Sequence, residues 1–150
     1  MNYEKFINED SLVWTMTTNG YKYLTLNLLE SLKKAGVKWK LMIVCVDKES
    51  YNFMNSMNVP AVYYKPEVPI LVGIEPSQFG SNTFMTFNKI KLDLIEKIRV
   101  EAPDTVKYIT YMDGDIIVFK DFVPHIKQRF TDLSNNILLF QNDDLYGVPN

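Results

Sequence analysis

Two spacings of apolar residues alternate along this chain, and they divide it into strand-like and helix-like segments. Residues 12–16 form a short β-favouring apolar run, the first expected strand. The turn cluster Thr17-Thr18-Asn19-Gly20 follows. In 21–35, Tyr21, Leu24, Leu28, Leu32 and Ala35 recur at intervals of three and four, predicting an amphipathic helix, and Gly36 is placed to stop it. Residues 41–46 are continuously apolar, as in a strand buried on both faces, and Asp47 stands at its end. A short helix through Tyr51, Phe53, Met54 and Met57 is expected, then a strand over 61–64. Prolines 60, 66, 69 and 76 make 65–80 an irregular connection. A long helix is expected over 84–102, ended by Pro103-Asp104. Strands are expected over 108–112, 116–119 and 137–140, with a partial helix over 121–130 carrying Pro124 in its first turn. This alternation predicts an α/β layered fold.

The 150 residues suit one domain over 1–150, with a hydrophobic share of 47% and a charged share of 23%. The net charge of −2 comes from interspersed acids and bases with no basic stripe, so no nucleic-acid partner is expected. No apolar run approaches the ~20 residues of a membrane span. The polar opening stretch carries no signal-like apolar segment, and a cytoplasmic location is expected. The one cysteine, Cys45, is read as a small core residue, and an internal disulfide is excluded.

The most informative chemistry is Asp113-Gly114-Asp115, directly after the apolar run 108–112. Open α/β sheets bind ligands at the C-terminal edge of their strands. Side chains at i and i+2 of an extended turn point the same way, so the two carboxylates can share one cation. Gly114 between them leaves room for a diphosphate near the backbone. All-oxygen ligation suits Mn²⁺ or Mg²⁺. The competing reading is an ordinary polar turn, since Asp-Gly is a common turn dipeptide.

Two further positions stand out. On the helix expected over 84–102, Lys91 falls at about 100° from Ile90, in the middle of an arc formed by Ile90, Leu94, Phe87, Ile98, Phe84 and Ile95. A lysine there either snorkels to the rim or meets an anion, a phosphate or an aspartate of the metal turn. The Thr17–Gly20 turn opens a helix, so it either caps that helix through Thr18 or Asn19, receives an anion, or does both.

Three segments together resemble the nucleotide-diphospho-sugar transferases, the glycogenin-like glycosyltransferases of GT-A fold. They are Thr15-Met-Thr-Thr-Asn-Gly-Tyr21, Asn88-Lys-Ile-Lys91-Leu, and Tyr111-Met-Asp-Gly-Asp-Ile-Ile-Val-Phe-Lys-Asp121. The resemblance covers about 12–144. It implies a Rossmann-like, mostly parallel sheet flanked by helices, truncated on the C-terminal side relative to the family. It implies a donor pocket lined by Thr17, Thr18, Asn19 and Tyr21, with Asp47 near the base. Asp113 would touch ribose and metal, Asp115 would be the main metal ligand, and Lys91 would reach the diphosphate or sugar. The donor would be a UDP- or GDP-sugar and the acceptor is undefined. The family's later part usually adds a histidine metal ligand, whereas the one histidine here, His125, reads as a surface residue. Two other functions fit the same residues: a non-catalytic nucleotide-sugar-binding fragment, and a haloacid-dehalogenase-type phosphotransferase using Asp113 as nucleophile.

Overall fold

The computed structural model describes residues 1–67 and 80–132. A 3-10 turn at Glu4–Phe6 leads into β1 (Ile7–Asn8), which turns back into β2 (Ser11–Thr17). Then follow α1 (Lys22–Lys34), β3 (Leu41–Cys45), α2 (Lys48–Ser56), β4 (Ala61–Tyr63), α3 (Asn82–Glu101), β5 (Tyr108–Tyr111) and α4 (Val123–Asp132).

β2 lies at the centre. It pairs in parallel with β3 over Val13–Thr17 and with β5 over Ser11–Trp14, and β3 pairs in parallel with β4. β1 pairs with Ser11 and Leu12 antiparallel. A strand has two edges, and β5 overlaps both β1 and β3 along β2. β1 and β3 must therefore share the opposite edge, end to end. Asn8 joins them, donating to the carbonyl of Lys40 and accepting from its N–H at 2.9 and 2.7 Å. The sheet is mixed, where a mostly parallel one was expected from the sequence. The antiparallel piece is a hairpin with Glu9 in the left-handed region at φ 57°, and its two-residue strand is too short to show a period.

The sheet buries both faces, and side chains alternate between them. Leu12, Trp14, Met42, Val44 and Val46 pack with Ile90, Leu94 and Ile98 of α3. Val13, Leu41, Ile43 and Cys45 face the other way, onto Leu28 and Leu32 of α1 and Met54 of α2. The chain steps outward from β2 through β3 to β4, then returns to add β5 on β2's far side. Right-handed crossovers running in opposite directions place their helices on opposite faces, which is why α3 lies across from α1 and α2.

Each helix end has a local cause. Gly36, at φ 69°, lets the N–H groups of Gly36 and Val37 return to the carbonyls of Lys33 and Leu32, closing α1. Ser81 caps α3 by accepting from the N–H of Phe84, and Pro103 follows its end. α1 buries Thr25, Leu28, Ser31 and Leu32, so its inner stripe includes two polar residues, while Tyr21 stands just outside the helix.

The strand expected over 116–119 is irregular chain. Ile117 and Phe119 are 63% and 87% exposed, and only Val118 is buried. No described strand runs beside this segment, and the N–H of Val118 donates instead to Ser31 Oγ on α1. The expected strand over 137–140 lies outside the described residues, as does most of the connection 65–80. Among the described residues no helix is long and apolar enough to cross a membrane.

Candidate functional site

The strand order reverses between β2 and β5, because the neighbours on the two sides of β2 are reached by oppositely directed crossovers. Open α/β sheets commonly bind ligands at such a point, beyond the C-terminal ends of the parallel strands. The Thr17–Gly20 turn leaves β2 there and Asp113-Gly114-Asp115 leaves β5 there.

Asp113 is the hub. Its Oδ1 accepts from Lys91 Nζ at 3.0 Å and from the Tyr111 hydroxyl at 2.7 Å. The Lys91 ammonium lies 4.9 Å from the centre of the Tyr111 ring. Lys91 thus crosses from the apolar arc of α3 to a carboxylate, keeping 26% of its side chain exposed, while Asp113 keeps 57%. The neighbouring positions Phe87, Ile90 and Leu94 stay buried, so the lysine stem follows the core and its charge leaves it.

Asp115 is exposed and forms no hydrogen bond or ion pair with a described residue. Both carboxylates act on the same two phenols. Burial pushes the Tyr21 hydroxyl upward from its ordinary range, and the charges of Asp115 and Asp113 add to that. Tyr111 is pushed strongly upward by burial, then by the charge of Asp113 and the hydrogen bond to it, with Asp115 and Tyr21 contributing further. Tyr21, Tyr111, Asp113 and Asp115 therefore share one electrostatic patch, and both phenols remain protonated donors at neutral pH.

Gly114 is buried. A β-carbon there would stand 3.0 Å from Thr25 Oγ1 and 3.4 Å from both the Met16 carbonyl and Thr15 Oγ1. The space that the missing side chain leaves is filled by protein. The glycine's first effect is to let the acidic turn close onto β2 and α1.

The β2 turn is built from buried threonines. Thr17 Oγ1 accepts from Thr25 Oγ1 at 2.8 Å. Thr18 is buried and its hydroxyl has no partner among the described residues, and the Thr15 hydroxyl is in the same condition. Neither Thr18 nor Asn19 caps α1. The cap position is Tyr21, with no side-chain hydrogen bond and no acidic residue in the first turn. The first N–H groups of α1 are thus free of side-chain acceptors, as an anion site requires.

Asp47 and Asn19 form a separate link. Asp47 Oδ1 accepts from the N–H of Ser50, capping α2, and Oδ2 accepts from the N–H of Asn19 at 2.8 Å. Asn19 Oδ1 in turn accepts from Lys22 Nζ. Asp47 is nearly buried with both oxygens bound to backbone, so here it fixes the turn after β2. Of the expected residues, the structure gathers Tyr21, Lys91, Asp113, Gly114 and Asp115, with Thr17 attached through Thr25. It sets Asn19 and Asp47 to one side as a brace. His125 is exposed on α4.

Two participants were not singled out in the sequence. Tyr111 stands two residues before Asp113, a spacing that places both on one side of an extended segment. Thr25 lies one helical turn after Tyr21. Its polarity on a buried face was the available signal.

Among the described residues no group of three or more His, Cys, Asp or Glu side chains comes together to hold a metal. The available set is Asp113 and Asp115, both exposed, with Asp113 Oδ2 taking no donor from a described residue. Two hard oxygen ligands with open positions match the way Mg²⁺ is bound, through one or two carboxylates plus phosphate and water. They do not match a closed zinc site. Neither a family model, nor a curated protein, nor a solved structure matches the chain.

Proposed function

We propose that this chain binds a nucleotide-diphospho-sugar through Mn²⁺ or Mg²⁺ held by Asp113 and Asp115, and acts as the donor-binding part of a metal-dependent glycosyltransferase of GT-A, Rossmann-like class. The observation that carries the reading is the meeting, at the point where strand order reverses, of the Asp113-Gly114-Asp115 turn, Lys91 and the Thr17–Tyr21 turn. Each offers what a nucleoside diphosphate needs. The two carboxylates would hold the cation, which offsets the charge developing on the departing diphosphate. Lys91 carries three N–H donors, of which Asp113 takes one, and it adds a second positive charge beside the phosphates. The start of α1, without a side-chain cap, offers backbone donors to the nucleotide. No described residue is assigned as catalytic base or nucleophile, and the sugar, base and acceptor are left open.

Calorimetric titration of UDP, GDP and their sugars, with and without Mn²⁺, tests the reading. At least one ligand binds, and EDTA or Asp115→Ala abolishes the binding. Lys91→Met weakens it about tenfold or more, the scale of a charge-assisted hydrogen bond, while the domain stays folded. Tight binding indifferent to both EDTA and Asp115→Ala refutes the metal role.

A further inference from the structure

Asp113 is an unevenly used carboxylate. An ionised carboxylate has about four lone-pair sites. Among the described residues both donors fall on Oδ1, and Oδ2 receives none. The positive ends of an N–H and an O–H dipole crowd Oδ1, so a cation approaching this group meets Oδ2 at lower cost.

The two donors differ in rigidity. Lys91 arrives on a four-carbon stem with several rotatable bonds. Tyr111 is the last residue of β5, held in register opposite Trp14 of β2. Its ring meets the Trp14 ring edge-on at 4.7 Å, and Trp14 is fully buried. The Tyr111 hydroxyl is therefore fixed by packing before any ligand arrives. Metal-binding side chains are commonly oriented by such an outer partner, and losing it lowers metal affinity by roughly 10–100-fold.

We infer that Tyr111 is a positioning residue: its hydroxyl, donating to Oδ1 of Asp113, holds that carboxylate so that Oδ2 faces the divalent cation. This rests on the metal-dependent reading of the site. The test uses the complete chain with UDP, titrated with Mn²⁺ and followed by the paramagnetic resonance signal of free Mn²⁺. Tyr111→Phe removes one oxygen and keeps the ring, and it is expected to weaken Mn²⁺ binding about tenfold or more. In an Asp113→Ala background the same change is expected to cost nothing further, because the group it positions is gone. A purely structural role would leave the loss additive.

Should Asp113→Ala bind too weakly for that comparison, the thermal midpoint of metal-free Tyr111→Phe decides. A midpoint within about two degrees of the parent alongside weakened Mn²⁺ binding supports the inference, and a midpoint lowered by more, with Mn²⁺ binding weakened in proportion, overturns it whatever the near-ultraviolet circular dichroism spectrum, which loses one tyrosine signal in either case. Affinity within twofold of the parent in Tyr111→Phe, while Asp115→Ala loses binding, overturns the positioning role and leaves the metal site standing. If the parent binds no Mn²⁺, or Asp115→Ala binds as well as the parent, the metal site and the inference fall together.

Discussion

Gly114 shows how one absent side chain sets the position of the acidic turn. The nearest atom to a β-carbon placed there is Thr25 Oγ1 at 3.0 Å. That hydroxyl bonds to Thr17 Oγ1 and to the Tyr21 carbonyl at 2.8 and 3.2 Å, so it cannot swing aside without breaking those contacts. Gly114→Ala is expected to lower unfolding free energy by about 1–3 kcal/mol, the range for overpacking a close-fitted site. Urea denaturation measures it. A variant as stable as the parent would mean that the turn relaxes freely. The sequence offered this glycine as clearance for a ligand. Its tight surroundings were not legible there, because they come from β2 and α1, distant in the chain.

Among the elements, the brace between the β2 turn and α2 carries a clear energetic expectation. Asp47 satisfies two backbone N–H groups at once, those of Asn19 and Ser50. Removing an N-cap costs about 0.5–2 kcal/mol, and leaving a buried donor unpaired costs about 1–3 kcal/mol. Asp47→Ala is therefore expected to destabilise by roughly 2–4 kcal/mol in urea, the two costs overlapping in part. It is also expected to loosen the turn that leads into α1 and, on the proposed reading, to lower nucleotide affinity. A loss below ~0.5 kcal/mol would show that the brace is incidental.

The elements also show where sequence reading stops. Long periodic segments such as α3, and the continuous apolar run of β3, are set by local pattern, and both occur as expected. The apolar run 116–119 has strand chemistry but no described neighbour to share a ladder, and a pattern of side chains does not reveal a missing partner. Thr25 and Ser31 invert the problem. They look polar on α1, yet each is buried because a partner outside the helix satisfies it: Thr25 donates to Thr17, and Ser31 accepts from the N–H of Val118. Lys91 is the favourable case: helical spacing alone placed a charge on an apolar face, and the structure supplies Asp113 as its outlet.

At the scale of the whole molecule, the two-sided burial of the sheet makes Cys45 a reporter of global unfolding. It lies fully buried in β3 among Val13, Ile43 and Met54. Burial, aided by the charge of Asp47, pushes its thiol up to about 12 despite an opposing hydrogen bond with Ser50. The thiolate is the reactive form, so a disulfide-exchange reagent at pH 8 is expected to leave the native protein unmodified. In guanidinium one thiol should react promptly. Rapid reaction of the native protein would mean that β3 opens locally, without the rest of the sheet.

The central position of β2 also orders events in time. Its partner β3 follows closely in the chain, but β5 is made only after α2, β4 and the whole of α3. On the ribosome, the Ser11–Trp14 edge of β2 must wait unpaired, with Leu12 and Trp14 uncovered until α3 and β5 arrive. That edge is covered only when β5 slots in, so a nascent chain halted before Tyr108 is expected to be prone to stick to its neighbours.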